Sequence, residues 1–365
     1  MTLSRLFSRL AAGTCCAAVI AFGASTVSMT AGKAQLKSAG PLAFGPDGIL
    51  FIGDSIGATI VALDVDDHTP GRSGGTVEIK GINEKIAAML GTAADQITIQ
   101  DVVVNPISKN VYLSVSRGKG PDAVPVILRV DAAAKITEVS LDNIKHSAVS
   151  LPDPPTIAAD NPRAQGQRMD VITSVKYVDG KVFVAGLSNE EFSSSLRSIP
   201  FPFTEASKAA GIEIWHGSHG RFETNAPVRT FVPYEIDHKT SILAAYTCTP
   251  LVKIPVSELK PGSKVKGTTI AELGAGNRPL DMIVYSKDGK HFILMANSAR
   301  GVMKLPADNL ETFQPITKQT EVTGVPYETI AGLKGVQQLD KFDDTNALVL
   351  MTSGNSLDLR TVPLP

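Results

Sequence analysis

An excess of charge of either sign is missing from this 365-residue chain: 35 basic residues face 36 acidic ones, and no basic stripe or acidic tail breaks the balance. Nucleic acid and anionic membrane surfaces are therefore not implied partners. Aromatic residues make up only 5%, with one Trp, Trp215, which excludes a quinone cofactor built from paired tryptophans. Cysteine is limited to Cys15, Cys16 and Cys248, and no CxxCH stretch is present to attach haem. Turn-forming residues are plentiful instead, with 31 Gly and 23 Pro beside a 43% hydrophobic fraction. That composition suits many short strands joined by turns.

Residues 1–30 read as a secretory signal peptide. Arg5 and Arg9 supply the positive start, "LAAGTCCAAVIAFGA" is the apolar run, and small residues follow in "STVSMTAGKA". Cleavage is expected between Gly23 and Ala34, giving an exported protein, periplasmic or extracellular. The apolar run of about 15 residues is shorter than the roughly 20 that span a bilayer, so no membrane span is expected after cleavage. Cys15 and Cys16 leave with the signal, and Cys248 alone cannot form an intrachain disulfide. The leader has no adjacent arginine pair, which favours folding after export over export with a complex metallocofactor already bound.

The stretch "NRPLDMIVYSKDGKHFILMANSARGVMKLPAD", residues 277–308, reads as three strands joined by two tight turns. The same order of strand, polar turn, apolar strand, small-residue turn and strand starts again near Pro41, Asp101, Ile172, Arg229 and Gly335. Fourth strands follow in "TVEIKG", "KITEVSL" and "TTIAELG". The spacing predicts an all-β fold: a six-bladed β-propeller of four-stranded antiparallel blades over residues 31–365. A monomer is expected. The chain stops after the third strand of the sixth unit, so an N-terminal strand, taken as "AQLKSAG", is expected to close the last blade and cover its edge. Insertions are assigned to 82–100, where Asn83 would cap a helix that Gly91 ends, and to 142–171 and 189–210.

"GPLAFGPDGILFIGDS" and "RPLDMIVYSKDGKHFILMANS" resemble blades of the NHL, YVTN and gluconolactonase-like six-bladed propellers. That scaffold hosts lactonases, sugar dehydrogenases, lyases and pure binding modules, so the resemblance implies architecture more than activity.

In such blades the turns between strands two and three share a face with the blade-to-blade connections, here the upper face. Gly40, Asp101, Thr173, Asp281 and Gln338 fall near the start of inner strands. Asp101, Arg117, Glu190, Tyr246, Arg278, Asn297 and Arg300 are the candidate ligand-binding residues. The resemblance to gluconolactonase-like propellers implies a channel cation; Asn277, Asp281, Asp101 and Asn297 are its candidate ligands, and such oxygen donors suit Ca²⁺. Gly40 stands where a ligating Glu would be wanted. The bland alternative is that these side chains tie neighbouring backbones together. Cys248 reads on the upper face beside Tyr246. His216 and His219, in "HGSHG", read on the lower face without a third ligand, and Asp64, Asp66, Asp67 and His68 read as an exposed turn.

The leading expectation is an exported propeller that binds a small polar molecule or an envelope protein on its decorated upper face. The alternative is a divalent-cation-dependent lactonase or esterase-type hydrolase. A third is an interaction scaffold, which would expose Phe201 and Phe203.

Overall fold

The computed structural model describes residues 26, 28–71, 74–157, 162–248 and 250–365, so the leader up to residue 25 lies outside the described residues. Where Asp-Gly or a similar pair follows an alternating strand, the chain turns back. Asp47, Asp179 and Asp288 hold φ of 53°, 47° and 51°, followed by Gly48, Gly180 and Gly289 at 72°, 78° and 73°. Consecutive left-handed residues match the twist of a hairpin, and Asp-Gly adopts them at least cost. The strands after these turns are buried on both faces, as Ile49–Asp54 is throughout.

Six antiparallel blades result. Blade 1 uses Leu42–Phe44, Ile49–Asp54 and Thr59–Asp64; blade 2 uses Ile97–Val104, Val111–Arg117, Val124–Val130 and Ile136–Glu138. Blade 3 is Ser174–Val178, Lys181–Leu187, Ser194–Pro200 and Ala210–His216; blade 4 is Val228–Ile236, Lys239–Tyr246, Pro250–Pro255 and Thr268–Leu273. Blade 5 is Pro279–Lys287, Lys290–Asn297, Gly301–Pro306 and Glu328–Thr329; blade 6 is Val336–Lys341, Asn346–Ser353 and Ser356–Pro363. No helix among the described residues is long and apolar enough to cross a membrane.

The blades do not stand in chain order. Apolar clusters join blades 1 and 3, 3 and 4, 4 and 5, 5 and 6, 6 and 2, and 2 and 1. Blade 2 therefore sits between blades 6 and 1. Phe51 of blade 1 meets Phe201 of blade 3 edge-on at 4.8 Å and stacks on Tyr177 at 5.8 Å. Phe44 of blade 1 meets Tyr112 of blade 2 at 5.2 Å.

Two blades are consequently composite. Ile144–Ser150, arriving after blade 2, pairs with Thr59–Asp64 as the fourth strand of blade 1, and Glu78–Ile79 pairs with Leu359 and Arg360 as the fourth strand of blade 6. Between Asp64 and Glu78 the chain crosses blade 2. Asp67, 6% exposed, anchors the crossing by accepting hydrogen bonds from Ser108 Oγ at 2.6 Å, Tyr112 Oη at 2.9 Å, and the side-chain amides of Asn105 and Asn110. Gly71 N–H donates to the Ile107 carbonyl at 2.9 Å, and a Cβ on Gly71 would lie 1.9 Å from the Ser108 oxygen. Only glycine fits that approach.

Four expectations change. The closing strand does come from the N-terminal side, but it is Glu78–Ile79 within "TVEIKG", because blade 2 separates "AQLKSAG" from blade 6. The stretches 142–171 and 189–210 are not plain insertions: they contain the fourth strand of blade 1 and the third strand of blade 3. Asn83 lies inside helix Ile82–Met89 rather than at its cap, Gly81 is the cap residue, and Asn83 Oδ1 accepts the Leu357 N–H at 2.8 Å. Gly91 follows the helix at φ 66°, as expected of its end. Asp67 is a buried anchor rather than part of an exposed turn.

Candidate ligand-binding site

Four inner strands carry an extra residue near their upper ends. The ladder shifts register between Ile99 and Asp101, Val228 and Thr230, Pro279 and Asp281, and Val336 and Gln338. Such a bulge turns a side chain out of the sheet. Three of the extra residues, Gln100, Arg229 and Leu280, line a cavity of about 730 Å³ at the upper mouth of the channel, with Gly40, Thr173 and Gln338 beside them. All six blades contribute to its wall. Its size suits a small molecule.

The wall is electropositive. Among the described residues, Lys37, Lys119, Arg168, Arg229 and Arg278 face a single carboxylate, Asp170. Arg229 Nη1 pairs with Asp170 Oδ1 at 2.8 Å, and Arg168 donates to the carbonyls of Pro155 at 2.9 Å and Ile56 at 2.8 Å. The Arg278 side chain makes no hydrogen bond or ion pair among the described residues. Desolvation and then the nearby Arg229 charge lower its pKa from the usual arginine value, with Asp170 opposing. Ser55, in a G-x-S-x-G stretch at residues 53–57, also lines the cavity. It sits in a strand-to-strand turn rather than the strand-to-helix turn of a hydrolase elbow, and its hydroxyl donates to the Ile172 carbonyl at 3.1 Å.

Carboxylates on three inner strands stitch neighbouring blades together. Asp101 Oδ2 accepts the Leu42 N–H at 2.7 Å, Asp281 Oδ2 that of Leu339 at 3.1 Å, and Asp340 Oδ2 that of Val104 at 2.8 Å. The second oxygen of each takes a nearby N–H of its own strand, from Val102, Met282 and Lys341. Burial and then the Asp281 charge push Asp101 well above the usual carboxylate range. Burial also raises Asp281 and Asp340 against the pull of Lys176. Burial works against the Lys176 ammonium, but Asp281, Asp340 and Asp101 outweigh it and keep its pKa above the lysine value.

The predicted Ca²⁺ ligands are therefore spread over different tasks. Asp101 serves blade 1 and Asp281 serves blade 6, while buried Asn277 and Asn297 face each other, Nδ2 to Oδ1, at 3.0 Å. Asn277 Oδ1 takes the Ala299 N–H at 3.1 Å, and Asn297 Nδ2 donates to the Met295 carbonyl at 3.1 Å. This is the backbone-tying arrangement that the sequence left open.

Of the candidate ligand-binding residues, Arg278 lines the cavity. Asp101 and Arg117 do not line it, although their chain neighbours Gln100 and Gly118 do. Glu190 is an exposed partner of Lys208 at 3.0 Å, Tyr246 is buried between blades 3 and 4, and Arg300 donates to the Ala275 carbonyl at 3.1 Å. Phe201 and Phe203 pack on Phe51 instead of forming an exposed patch. Sequence reading missed Arg168, Arg229 and Asp170. Arg229 carries the one signal that could have found it, its place at the start of an inner strand equivalent to Gln100 and Leu280.

His216 and His219 move to the upper face. Ser194–Pro200 is the third strand of blade 3, so Ala210–His216 is the fourth and ends where blade 4 begins. Their ligand atoms and that of Cys248 lie within 4.8 Å of one another, the one such group of His, Cys, Asp and Glu among the described residues.

No family model and no curated protein matches the chain. Among solved structures it is similar to a glucose dehydrogenase at 13% identity and a TM-score of 0.40, covering 92% of this chain and 100% of that one. It is also similar to the PQQ-bound aldose sugar dehydrogenase of Streptomyces coelicolor (11%, TM-score 0.33, 91% and 96% covered) and to a streptogramin B lyase (9%, TM-score 0.35, 92% and 97%). The six-bladed architecture rests on the strand pairing described above rather than on these likenesses.

Proposed function

We propose that the protein is an exported, monomeric binding protein that takes a small anionic molecule, such as an organic acid, in the cavity at the upper mouth of its channel. The observation that carries this reading is the imbalance of the wall among the described residues: five cations, one carboxylate already paired with Arg229, and an Arg278 side chain with no hydrogen-bond or ion-pair partner among them. Clustered guanidinium groups suit carboxylate and phosphate oxygens because they donate in a planar fork. The leader composition supports export. The Asp-Gly turns and their left-handed φ values support a kinship with the NHL, YVTN and gluconolactonase-like propellers. The hydrolase alternative draws less support, because the Asp101 and Asp281 oxygens already accept backbone N–H groups.

Calorimetric titration of the purified chain with a panel of mono- and dicarboxylates, sugar acids and inorganic phosphate tests this. At least one anion is expected to bind, and Arg278→Ala should weaken it by about tenfold or more, the loss of one charge-assisted contact. Binding of neutral sugars but no anion, or anion binding indifferent to Arg278→Ala, would sink the reading.

A further inference from the structure

We propose that His216, His219 and Cys248 form a binding site for one borderline transition-metal ion, Zn²⁺ by class, with Glu223 as the positioning carboxylate. The site stands apart from the cavity and does not depend on the anion reading.

Two imidazoles and a thiol are a ligand set that zinc accepts and that hard oxygen-seeking cations do not. The tautomers are already fixed for it. Glu223 Oε2 lies 2.7 Å from His216 Nδ1 and its Oε1 2.7 Å from His219 Nδ1, so one carboxylate receives an Nδ1–H from both rings. Both Nε2 atoms are left with a lone pair. His216 is 2% exposed, and its buried Nε2 has no hydrogen-bond partner among the described residues. An unpartnered buried nitrogen costs stability unless something occupies its lone pair. Carboxylate behind imidazole is the outer shell that metal-bound histidines commonly use.

The turn carrying the two histidines is pinned before any metal arrives. Glu272, fully buried, accepts the Gly217 N–H at 2.6 Å; Thr320 N–H donates to the Gly217 carbonyl at 3.0 Å; Gln319 Nε2 donates to the Ser218 carbonyl at 3.3 Å. Cys248 is held from blade 4 by its N–H to the Asn277 carbonyl at 2.8 Å, with φ at 61°. Three protein ligands leave a fourth position of a tetrahedral ion free for water or an exogenous ligand. His219, with its side chain 42% exposed, forms the open side. On binding, the Cys248 S–H bond breaks, the thiolate electron pair goes to the metal, and the proton leaves to solvent. No oxidant or reductant is involved.

The test is titration of the purified chain, kept reduced with a non-thiol reductant, with Co²⁺ as a spectroscopic probe and then with Zn²⁺. One equivalent of Co²⁺ should give a near-ultraviolet thiolate-to-cobalt charge-transfer band and the intense visible bands of a four-coordinate ion. Zn²⁺ should displace it and raise the melting temperature, and a chelator should reverse the shift. Cys248→Gly, which suits the left-handed backbone and so keeps the fold, should abolish the charge-transfer band. His219→Gln should weaken binding by at least about tenfold, and Glu223→Gln by about 10–100-fold with the band retained, as for an outer-shell carboxylate. Failure to bind Co²⁺ and Zn²⁺, a spectrum without the thiolate band, or binding equal in the parent, Cys248→Gly and His219→Gln chains would overturn the proposal.

Discussion

Arg229 and Asp170 form an ion pair at 2.8 Å across the cavity wall, and this pair absorbs the one carboxylate that the described residues place there. Asp170 thereby holds one arginine in place while subtracting from the field that an anion would feel. Asp170→Asn should raise affinity for the bound anion about threefold to tenfold, since removing one nearby negative charge in a partly screened site is worth roughly 1 kcal/mol. Titration of both chains with the same anion checks this, and weaker binding by the variant would contradict it.

The order of the blades makes its own prediction. Phe51 and Phe201 touch edge-on across blades 1 and 3. A double-mutant cycle to alanine, read by urea unfolding, should give a coupling of about 0.5–1.5 kcal/mol, as aromatic pairs do. Were the blades arranged in chain order, blade 2 would separate these rings and the coupling would vanish.

Asp67 anchors the crossing that carries the chain past blade 2 to the edge of blade 6. Asp67→Ala should destabilise by about 2–4 kcal/mol, because Tyr112 and Ser108 hydroxyls and two amide groups lose a buried acceptor together. A loss below about 0.5 kcal/mol in denaturant unfolding would show that the crossing is held by other means.

Stability should fall as the solution becomes more alkaline. Burial, and then Asp281, raises the folded-state pKa of Asp101 above its ordinary 3.8, and burial raises Asp281 and Asp340 as well. The folded chain therefore holds protons that the unfolded chain has released. That contribution is complete below about pH 4 and declines as pH rises through the folded values. Asp101→Asn should flatten the decline in urea midpoints between pH 5 and 9, estimated as the window in which raised carboxylates titrate. An unchanged slope would remove Asp101 from the explanation.

The blade units were legible because Asp-Gly and similar turns recur between apolar strands, and that alignment put Gly40, Thr173 and Gln338 at the starts of inner strands together with Asp101 and Asp281, which tie neighbouring blades instead of lining the cavity. The ring order was not legible. Each blade buries the same alternating pattern whichever neighbour it meets, and the strand that reveals the permutation, Glu78–Ile79, is only two residues long. Ser194–Pro200 was hidden for another reason. "SSLRSIP" has little apolar alternation, and its buried Arg197 is satisfied by the carbonyls of Ser207 at 2.9 Å and Pro152 at 2.7 Å, contacts no spacing rule predicts. Missing that strand put His216 and His219 on the wrong face and away from Cys248. Arg229 sits at a bulge, which re-aims a side chain without leaving a mark in composition, and Arg168 comes from the helix Pro162–Met169, outside the repeated blade pattern.

The most direct test of the binding reading is a crystal of the protein grown or soaked in bromide, with anomalous scattering recorded at the bromine edge. Bromide is expected among Arg168, Arg229 and Arg278 in the upper mouth, lost in Arg278→Ala crystals. Bromide sites scattered over exposed lysines, with none in the cavity, would contradict an anion-binding channel mouth.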